Sequence, residues 1–153
     1  MKAVVGVAEA HRRIGPLLGR PAWDVRRGMG SFVTLEFGRP QPPDRFGRVY
    51  GEYHLWIQMA AWRLETDDRV VVGSEDPGLG EALAGLEGRA LTEVVIRPPA
   101  LATRFDFGGL RLETFPMYRS DPEDGEFDHW SLWLNPGEVL LAGSELTVEP
   151  AGG

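Results

Sequence analysis

Apolar and polar residues alternate over several stretches of this chain, and alternation with a period of two is typical of half-buried β-strands. In the segment 31–37, Val33, Leu35 and Phe37 fall on one face, and Gly38 ends the run. The longer segment Tyr53 to Glu65 also alternates, and the turn residues after it predict a hairpin with a return strand. We predict the return strand over residues 69–72 and further strands over 91–96, 103–107, 110–115, 127–134, 139–142 and 146–149.

Two segments instead carry apolar residues at helical spacing. The first covers residues 7–18, where Gly15-Pro16 interrupts or ends the helix. The second begins at Asp76-Pro77, because Asp can cap a helix and Pro is tolerated at the first helical position. These elements predict a mainly β protein of the α+β type, built as an antiparallel sheet or partly open barrel with two short helices.

The order of the elements repeats along the chain. At an offset of 70 residues, Glu36-Phe37-Gly38 matches Asp106-Phe107-Gly108, and residues 70–75 match residues 140–145. We therefore predict one compact domain over residues 1–153, with two pseudo-equivalent halves of about 70 residues, roughly 7–75 and 76–149. The alternatives are chance similarity between β-strands, or two separately packed α+β halves joined near residues 73–77.

Composition excludes more classes of function than classes of fold. The 153 residues include 23 Asp and Glu against 16 Lys and Arg, so the formal net charge is −7. This balance argues against binding to nucleic acid or to an anionic membrane surface, since both require clustered cations. The absence of cysteine excludes disulfides and thiolate chemistry. No apolar run approaches the length of a membrane span or a secretory signal, so we expect a cytoplasmic protein.

The sequence carries no motif for nucleophilic catalysis or for phosphate binding, such as Gly-x-Ser-x-Gly or a Walker loop. A metal site built from His54, His129, Glu52, Glu126 and Asp128 is chemically feasible. However, no His-x-His or His-x-x-x-His spacing preorganises such a site. We therefore predict no metal, no cofactor and no catalytic residue, and the interpretation leans away from an enzyme.

Paired carboxylates are the remaining candidates for acid–base chemistry. Glu36 and Asp106 are equivalent under the predicted repeat, and each lies among apolar or aromatic residues on a strand. The alternation turns both side chains away from the apolar face. We expect an exposed sheet face on which arginines such as Arg104 pair with them.

A candidate binding surface combines aromatic and charged residues. Trp56 and Trp62 share the more polar face of their strand with His54, a mixture that recognition surfaces favour. The run 121–128 carries the densest negative charge in the chain and lies beside Trp130. The residues assigned to this surface are His54, Trp56, Asp121, Glu123, Asp124, Glu126, Asp128, His129 and Trp130.

Several sequence strings resemble those of a family of small bacterial proteins. They are GSFVTLEFG at residues 30–38, GEYHLWI at 51–57, AWRLE at 61–65 and DHWSL at 128–132. The family has no established activity, so the resemblance implies no catalytic, metal or cofactor residue. Some small bacterial proteins of this general character are similar to the immunity-type binders of toxin systems, which is an analogy at the level of size and composition.

Three classes of function follow from these observations. The first is a non-enzymatic, immunity-like protein-binding module, in which the acidic run attracts a basic protein partner and Trp130 or Trp56 anchors it. The second is a small-ligand-binding β-barrel, in which the face carrying His54 and Trp56 lines a cavity. The third is a hydrolase that uses His129 with Asp128 or Glu126.

Overall fold

A computed structural model describes residues 2–117, 128–134 and 136–151 of the chain. These residues form two short α-helices, α1 (Val7–Ile14) and α2 (Leu79–Leu83), each continued by one turn of 3-10 helix, Gly15–Leu17 and Ala84–Leu86. The strands are β1 (Ala3–Val4), β2 (Trp23–Arg27), β3 (Val33–Phe37), β4 (Tyr53–Ile57), β5 (Ala60–Glu65), β6 (Val70–Gly73), β7 (Glu93–Arg97), β8 (Ala102–Asp106), β9 (Arg111–Pro116), β10 (Trp130–Leu134), β11 (Glu138–Ala142) and β12 (Leu146–Pro150).

The strands form two antiparallel sheets. The larger sheet has the order β1-β12-β11-β10-β4-β3-β2, and the smaller sheet has the order β6-β5-β9-β8-β7. Neither sheet closes into a barrel within the described part of the chain, and the prediction of a mainly β, antiparallel protein with two short helices is confirmed. No described helix has both the length and the apolar character that a membrane crossing requires.

Strand β2 and the second helix start differ from the sequence prediction. The predicted strands omitted β2, whose pairing with β3 shifts register and whose Asp24 has a φ of 50°, so its side chains do not alternate regularly. Asp76 does not cap α2, because Gly78 occupies the N-cap position and caps it without a side chain. Instead the Asp76 carboxylate accepts a hydrogen bond from Gly73 N at 2.7 Å and closes the turn after β6.

The segment predicted as one long strand, residues 53–65, is two strands in different sheets. Met59, with a φ of 46°, interrupts the extended backbone between β4 and β5. After this break the alternation restarts with the opposite parity, so Trp62 points into the core and is 2% exposed. The expectation that Trp62 shares an outward face with Trp56 was therefore wrong.

The core lies between the two sheets. Phe37 of the larger sheet stacks on Phe107 beside the smaller sheet, with ring centroids 6.4 Å apart and planes at 16°. Phe105 and Trp130 meet edge to face at 5.7 Å across the same interior. The helices contribute buried residues such as Leu83 to the same hydrophobic cluster.

The two sheets have the same strand order when the chain is shifted by one half. Strands β2, β3 and β4 then correspond to β7, β8 and β9, and β5 and β6 correspond to β10 and β11. Under this mapping the order β11-β10-β4-β3-β2 becomes β6-β5-β9-β8-β7, the order of the smaller sheet. Each of these five-strand sets takes three strands from one half and two from the other.

Hydrogen bonds at the junction of the halves follow the same correspondence. Gly19 N donates to Leu91 O at 2.8 Å, and Gly88 N, 69 residues after Gly19, donates to Ala22 O at 2.8 Å. Such reciprocal contacts are expected when two halves are related by an approximate two-fold axis. The correspondence supports the predicted repeat, and we propose that the two halves derive from one duplicated unit.

The loop between β3 and β4 is the largest difference between the halves. Glu36 pairs with His54, 18 positions later, whereas Asp106 pairs with Arg111, 5 positions later, so the first-half loop is 13 residues longer. Strand pairing therefore makes Arg111 the counterpart of His54.

Candidate ligand-binding site

Strand β4 presents one apolar and one polar face, as its alternation predicts. Leu55 and Ile57 are buried between the sheets, whereas His54 and Trp56 are half-buried on the opposite, outer face. On this outer face, Trp133 of the neighbouring strand β10 lies directly beside His54. The candidate site lies on this side of the larger sheet.

A pocket of about 760 Å³ lies on this outer face. Its floor is the sheet, one wall is the hairpin between β2 and β3, and the other is the long loop 38–52. We call it the aromatic pocket, and its lining residues are Gly28, Met29, Phe32, Thr34, Arg48, Tyr50, Gly51, His54, Trp56 and Trp133. Its volume is within the range of about 300–1,000 Å³ that is typical of small-molecule sites.

The aromatic rings of the pocket form a continuous surface around the imidazole. Trp56 and Trp133 lie 6.1 Å apart with planes at 29°. Phe32 meets Trp56 edge to face at 6.0 Å. Tyr50 and Trp133 pack against His54 at 5.0 and 5.4 Å. Such a surface suits a flat ring, because offset and edge-to-face contacts add to the free energy of apolar burial.

Glu36 and His54 form a hydrogen-bonded pair at the base of the pocket. Glu36 Oε2 lies 2.6 Å from His54 Nδ1, slightly less than the ~2.7–2.9 Å typical of charge-assisted N–H···O hydrogen bonds. Glu36 Oε1 accepts a hydrogen bond from Gly51 N at 2.9 Å. The Glu36 side chain is 1% exposed and that of His54 is 13% exposed. The expectation of an exposed Glu36 was wrong, because the long loop folds back over the carboxylate.

Arg48 is a cationic residue of the pocket lining, and it forms no ion pair with a carboxylate of the described residues. Its guanidinium lies over the Tyr50 ring, 4.8 Å from the centroid. Arg48 Nε is buried and has no hydrogen-bond partner in the described part of the chain. The loop holds this residue through Asp44, whose Oδ1 accepts hydrogen bonds from Phe46 N and Arg48 N at 2.8 and 2.9 Å.

The five tryptophans divide into two groups by the fate of their indole N–H. Three donate it inside the protein: Trp23 to the Gly38 carbonyl, Trp62 to the Ser31 carbonyl and Trp130 to the Thr103 hydroxyl. Trp56 and Trp133 have no indole acceptor among the described residues, and both line the aromatic pocket. These two rings are therefore the ones with hydrogen-bonding capacity left for a ligand.

The equivalent face of the smaller sheet carries different side chains at the positions of His54 and Trp56. By strand pairing, Glu113 takes the position of Trp56, and Arg111 takes that of His54. Glu113 is buried and forms an ion pair with Arg104, in which Arg104 Nε lies 2.5 Å from Glu113 Oε1. The same architecture therefore supports ion pairs on the outer face of one sheet and an aromatic pocket on the outer face of the other.

Two residues assigned to the candidate surface lie in the core instead. His129 is 1% exposed, and its Nε2 donates to Leu101 O at 2.9 Å. Burial lowers the pKa of His129, because the charged form loses its hydration. Trp130 is fully buried. The assignment of His129 and Trp130 to an exposed binding surface was therefore wrong, whereas the use of His129 in a hydrolase site stays a prediction.

The acidic part of the candidate surface remains a prediction. Asp121, Glu123, Asp124 and Glu126 lie outside the described residues, and Asp128 is half-buried. Of the residues assigned to the surface, His54 and Trp56 are brought together on the outer sheet face, with Glu36, Arg48, Tyr50 and Trp133 beside them. Within the described ranges, no three His, Asp or Glu residues are grouped as metal ligands.

The fold and pocket define an antiparallel two-sheet protein with one aromatic-lined outer face. The chain matches no family model, no curated protein and no solved structure. The resemblance to small bacterial proteins therefore stays a prediction.

Proposed function

We propose that this protein binds a small planar molecule that carries an acidic group, and that the aromatic pocket is its binding site. The observation that supports this proposal most strongly is the set of polar groups that line one pocket and have no hydrogen-bond partner in the described part of the chain. Arg48 Nε is buried without a partner, and no described residue accepts a hydrogen bond from the indole of Trp56 or Trp133. Small-ligand sites combine apolar walls with a few such polar groups.

The wall chemistry favours a flat ring. The rings of Trp56 and Trp133 together offer a broad aromatic surface, and Phe32 and Tyr50 close its sides. Aromatic contacts add about 0.5–1.5 kcal/mol beyond the burial of apolar area. A flexible aliphatic ligand would gain the burial term alone.

The polar groups favour an anion over a cation. Arg48 can form paired hydrogen bonds with a carboxylate, since guanidinium geometry matches a planar carboxylate. Glu36 is the carboxylate at the base of the pocket, and both of its oxygens already accept hydrogen bonds. The net charge of −7 acts on a ligand mainly at long range, where physiological salt screens it. The charged groups of the pocket therefore decide which sign of ligand is preferred.

Calorimetric titration with two matched probes tests this proposal. 2-Naphthoate and 2-naphthylmethanol share a ring system and differ in the acidic group. We expect 2-naphthoate to bind more tightly, and Arg48→Gln to weaken it about tenfold, because a hydrogen bond to a charged group contributes about 1.5–3 kcal/mol.

Arg45→Gln is the matched control for Arg48→Gln. Arg45 lies in the same loop and also stacks on a neighbouring ring, at 4.8 Å from the Phe46 centroid, but it does not line the pocket. Equal effects of the two substitutions, or equal affinity for the two naphthalenes, would contradict the proposal. A basic protein partner and a cytoplasmic location stay separate predictions from the sequence.

A further inference from the structure

We infer that the His54–Glu36 pair is a general base that removes a proton from a carbon acid bound in the aromatic pocket. This inference rests on the proposed binding function and extends it to a reaction class. His54 is the catalytic residue, since it lines the pocket. Glu36 is a positioning residue that acts through the imidazole.

The hydrogen bonds fix the orientation of the imidazole. Nδ1 is directed at Glu36 Oε2, at 2.6 Å, and the other carboxylate oxygen is held by Gly51 N at 2.9 Å. Nε2 lies at the opposite end of the ring and has no hydrogen-bond partner among the described residues. A carboxylate bonded to Nδ1 keeps the Nε2 lone pair available and stabilises the imidazolium that forms when Nε2 takes a proton.

The architecture does not require this buried pair. At the equivalent position of the other half, Asp106 and Arg111 replace Glu36 and His54, and Asp106 Oδ1 accepts a hydrogen bond from Gly109 N in the following turn. Burying a carboxylate is costly unless its partners compensate for the lost hydration. The first half nevertheless buries one behind a histidine whose side chain is only 13% exposed, and it places Arg48 at the same pocket, where a developing negative charge would be stabilised.

The reaction class can be tested with 5-nitrobenzisoxazole, a planar probe whose ring opening needs a base and no cofactor. His54 Nε2 takes the proton from C3, and the C–H electron pair becomes part of the nitrile triple bond. The N–O bond breaks, and the oxygen leaves as a phenolate that carries the negative charge. The product, 2-cyano-4-nitrophenolate, is measured by its absorbance.

We expect His54→Ala to lower kcat about 100-fold, since general-base catalysis contributes about 10²–10⁴-fold. Glu36→Gln should lower kcat about tenfold with less than a threefold change in KM, because it alters the imidazole and not the pocket wall. Asp106→Asn is the matched control at the equivalent position and should leave both constants unchanged. His54→Gln provides a second variant if His54→Ala fails to fold.

Two results would overturn this inference. The first is a wild-type rate no greater than that of the His54 variants while the probe still displaces 2-naphthoate; the binding function would then stand without the catalysis. The second is equal kcat for Glu36→Gln and wild type, which would remove the positioning role. Failure of wild type to bind 2-naphthoate would instead refute the proposed function itself.

Discussion

Gly51 contacts both the candidate site and the sheet, because its N–H donates to Glu36 and its Cα lies close to the backbone of Phe37. Gly51→Ala tests how much stability these two contacts provide. A Cβ at this position would lie 2.4 Å from Phe37 O, 3.0 Å from Phe37 N and 3.1 Å from Phe37 C. The contacted atoms are backbone atoms of β3, which pairs with β2 on one side and β4 on the other. The strand therefore cannot withdraw without disturbing two ladders.

The expected loss of stability has two sources. Overpacking against a constrained neighbour costs about 1–3 kcal/mol. Displacement of the Gly51 backbone also weakens its 2.9 Å hydrogen bond to the buried Glu36 carboxylate, and hydrogen bonds to charged groups are worth about 1.5–3 kcal/mol. We expect Gly51→Ala to lower the free energy of unfolding by about 3 kcal/mol, since the two effects overlap.

Urea denaturation followed by tryptophan fluorescence measures this change by linear extrapolation. The control is Gly80→Ala in α2, where a Cβ meets nothing within 4 Å and helix propensity favours Ala by about 1 kcal/mol. A free energy of unfolding for Gly51→Ala within about 0.5 kcal/mol of wild type would refute the argument, because surface substitutions give changes of that size.

Two further predictions concern the buried residues of the core. Burial holds the pKa of His129 below its ordinary value, so below about pH 6.5 the unfolded state binds a proton that the native state does not, and stability falls by up to about 1.4 kcal/mol per pH unit. In urea denaturation between pH 5 and 8, His129→Gln should lose less free energy of unfolding on the acid side than wild type does. The control is His11→Gln, at an exposed histidine, which should lose as much as wild type. Equal slopes for His129→Gln and wild type would contradict this prediction. Trp130→Phe removes an indole hydrogen bond to Thr103 and should lower the free energy of unfolding by about 1–3 kcal/mol, whereas Trp56→Phe should change it by less than about 1 kcal/mol. The reverse order in thermal denaturation would show that the inward and outward faces are wrongly assigned.

Much of the fold follows from local sequence pattern. Apolar and polar residues alternate around Leu35 and Leu55, and the apolar ones are buried. Such a pattern lies within a single strand, so it can be recognised from that strand's own residues. The break at Met59 could not be predicted in the same way, because a non-glycine residue with positive φ depends on the packing around it. After this break, β5 belongs to the smaller sheet and Trp62 points into the core.

The site was predictable only in part. His54 and Trp56 were found because alternation places them on the polar face of one strand. Glu36 was misplaced and Arg48 was missed, since both depend on how the long loop 38–52 folds over the sheet. That loop contains three prolines and no periodic pattern, so local propensity gives no information on which face it covers. Trp133 joins them through strand pairing between distant parts of the chain.

The most direct test of the pocket is its location by NMR. The five indole N–H groups give five resolvable signals, and titration of ¹⁵N-labelled protein with 2-naphthoate should shift those of Trp56 and Trp133. The signals of Trp23, Trp62 and Trp130 should stay in place, because their indoles donate hydrogen bonds inside the protein. Saturable shifts confined to Trp56 and Trp133 are the predicted result. Shifts confined to the other three signals, or no shift at saturating 2-naphthoate, would contradict the assignment of this face as a ligand-binding site.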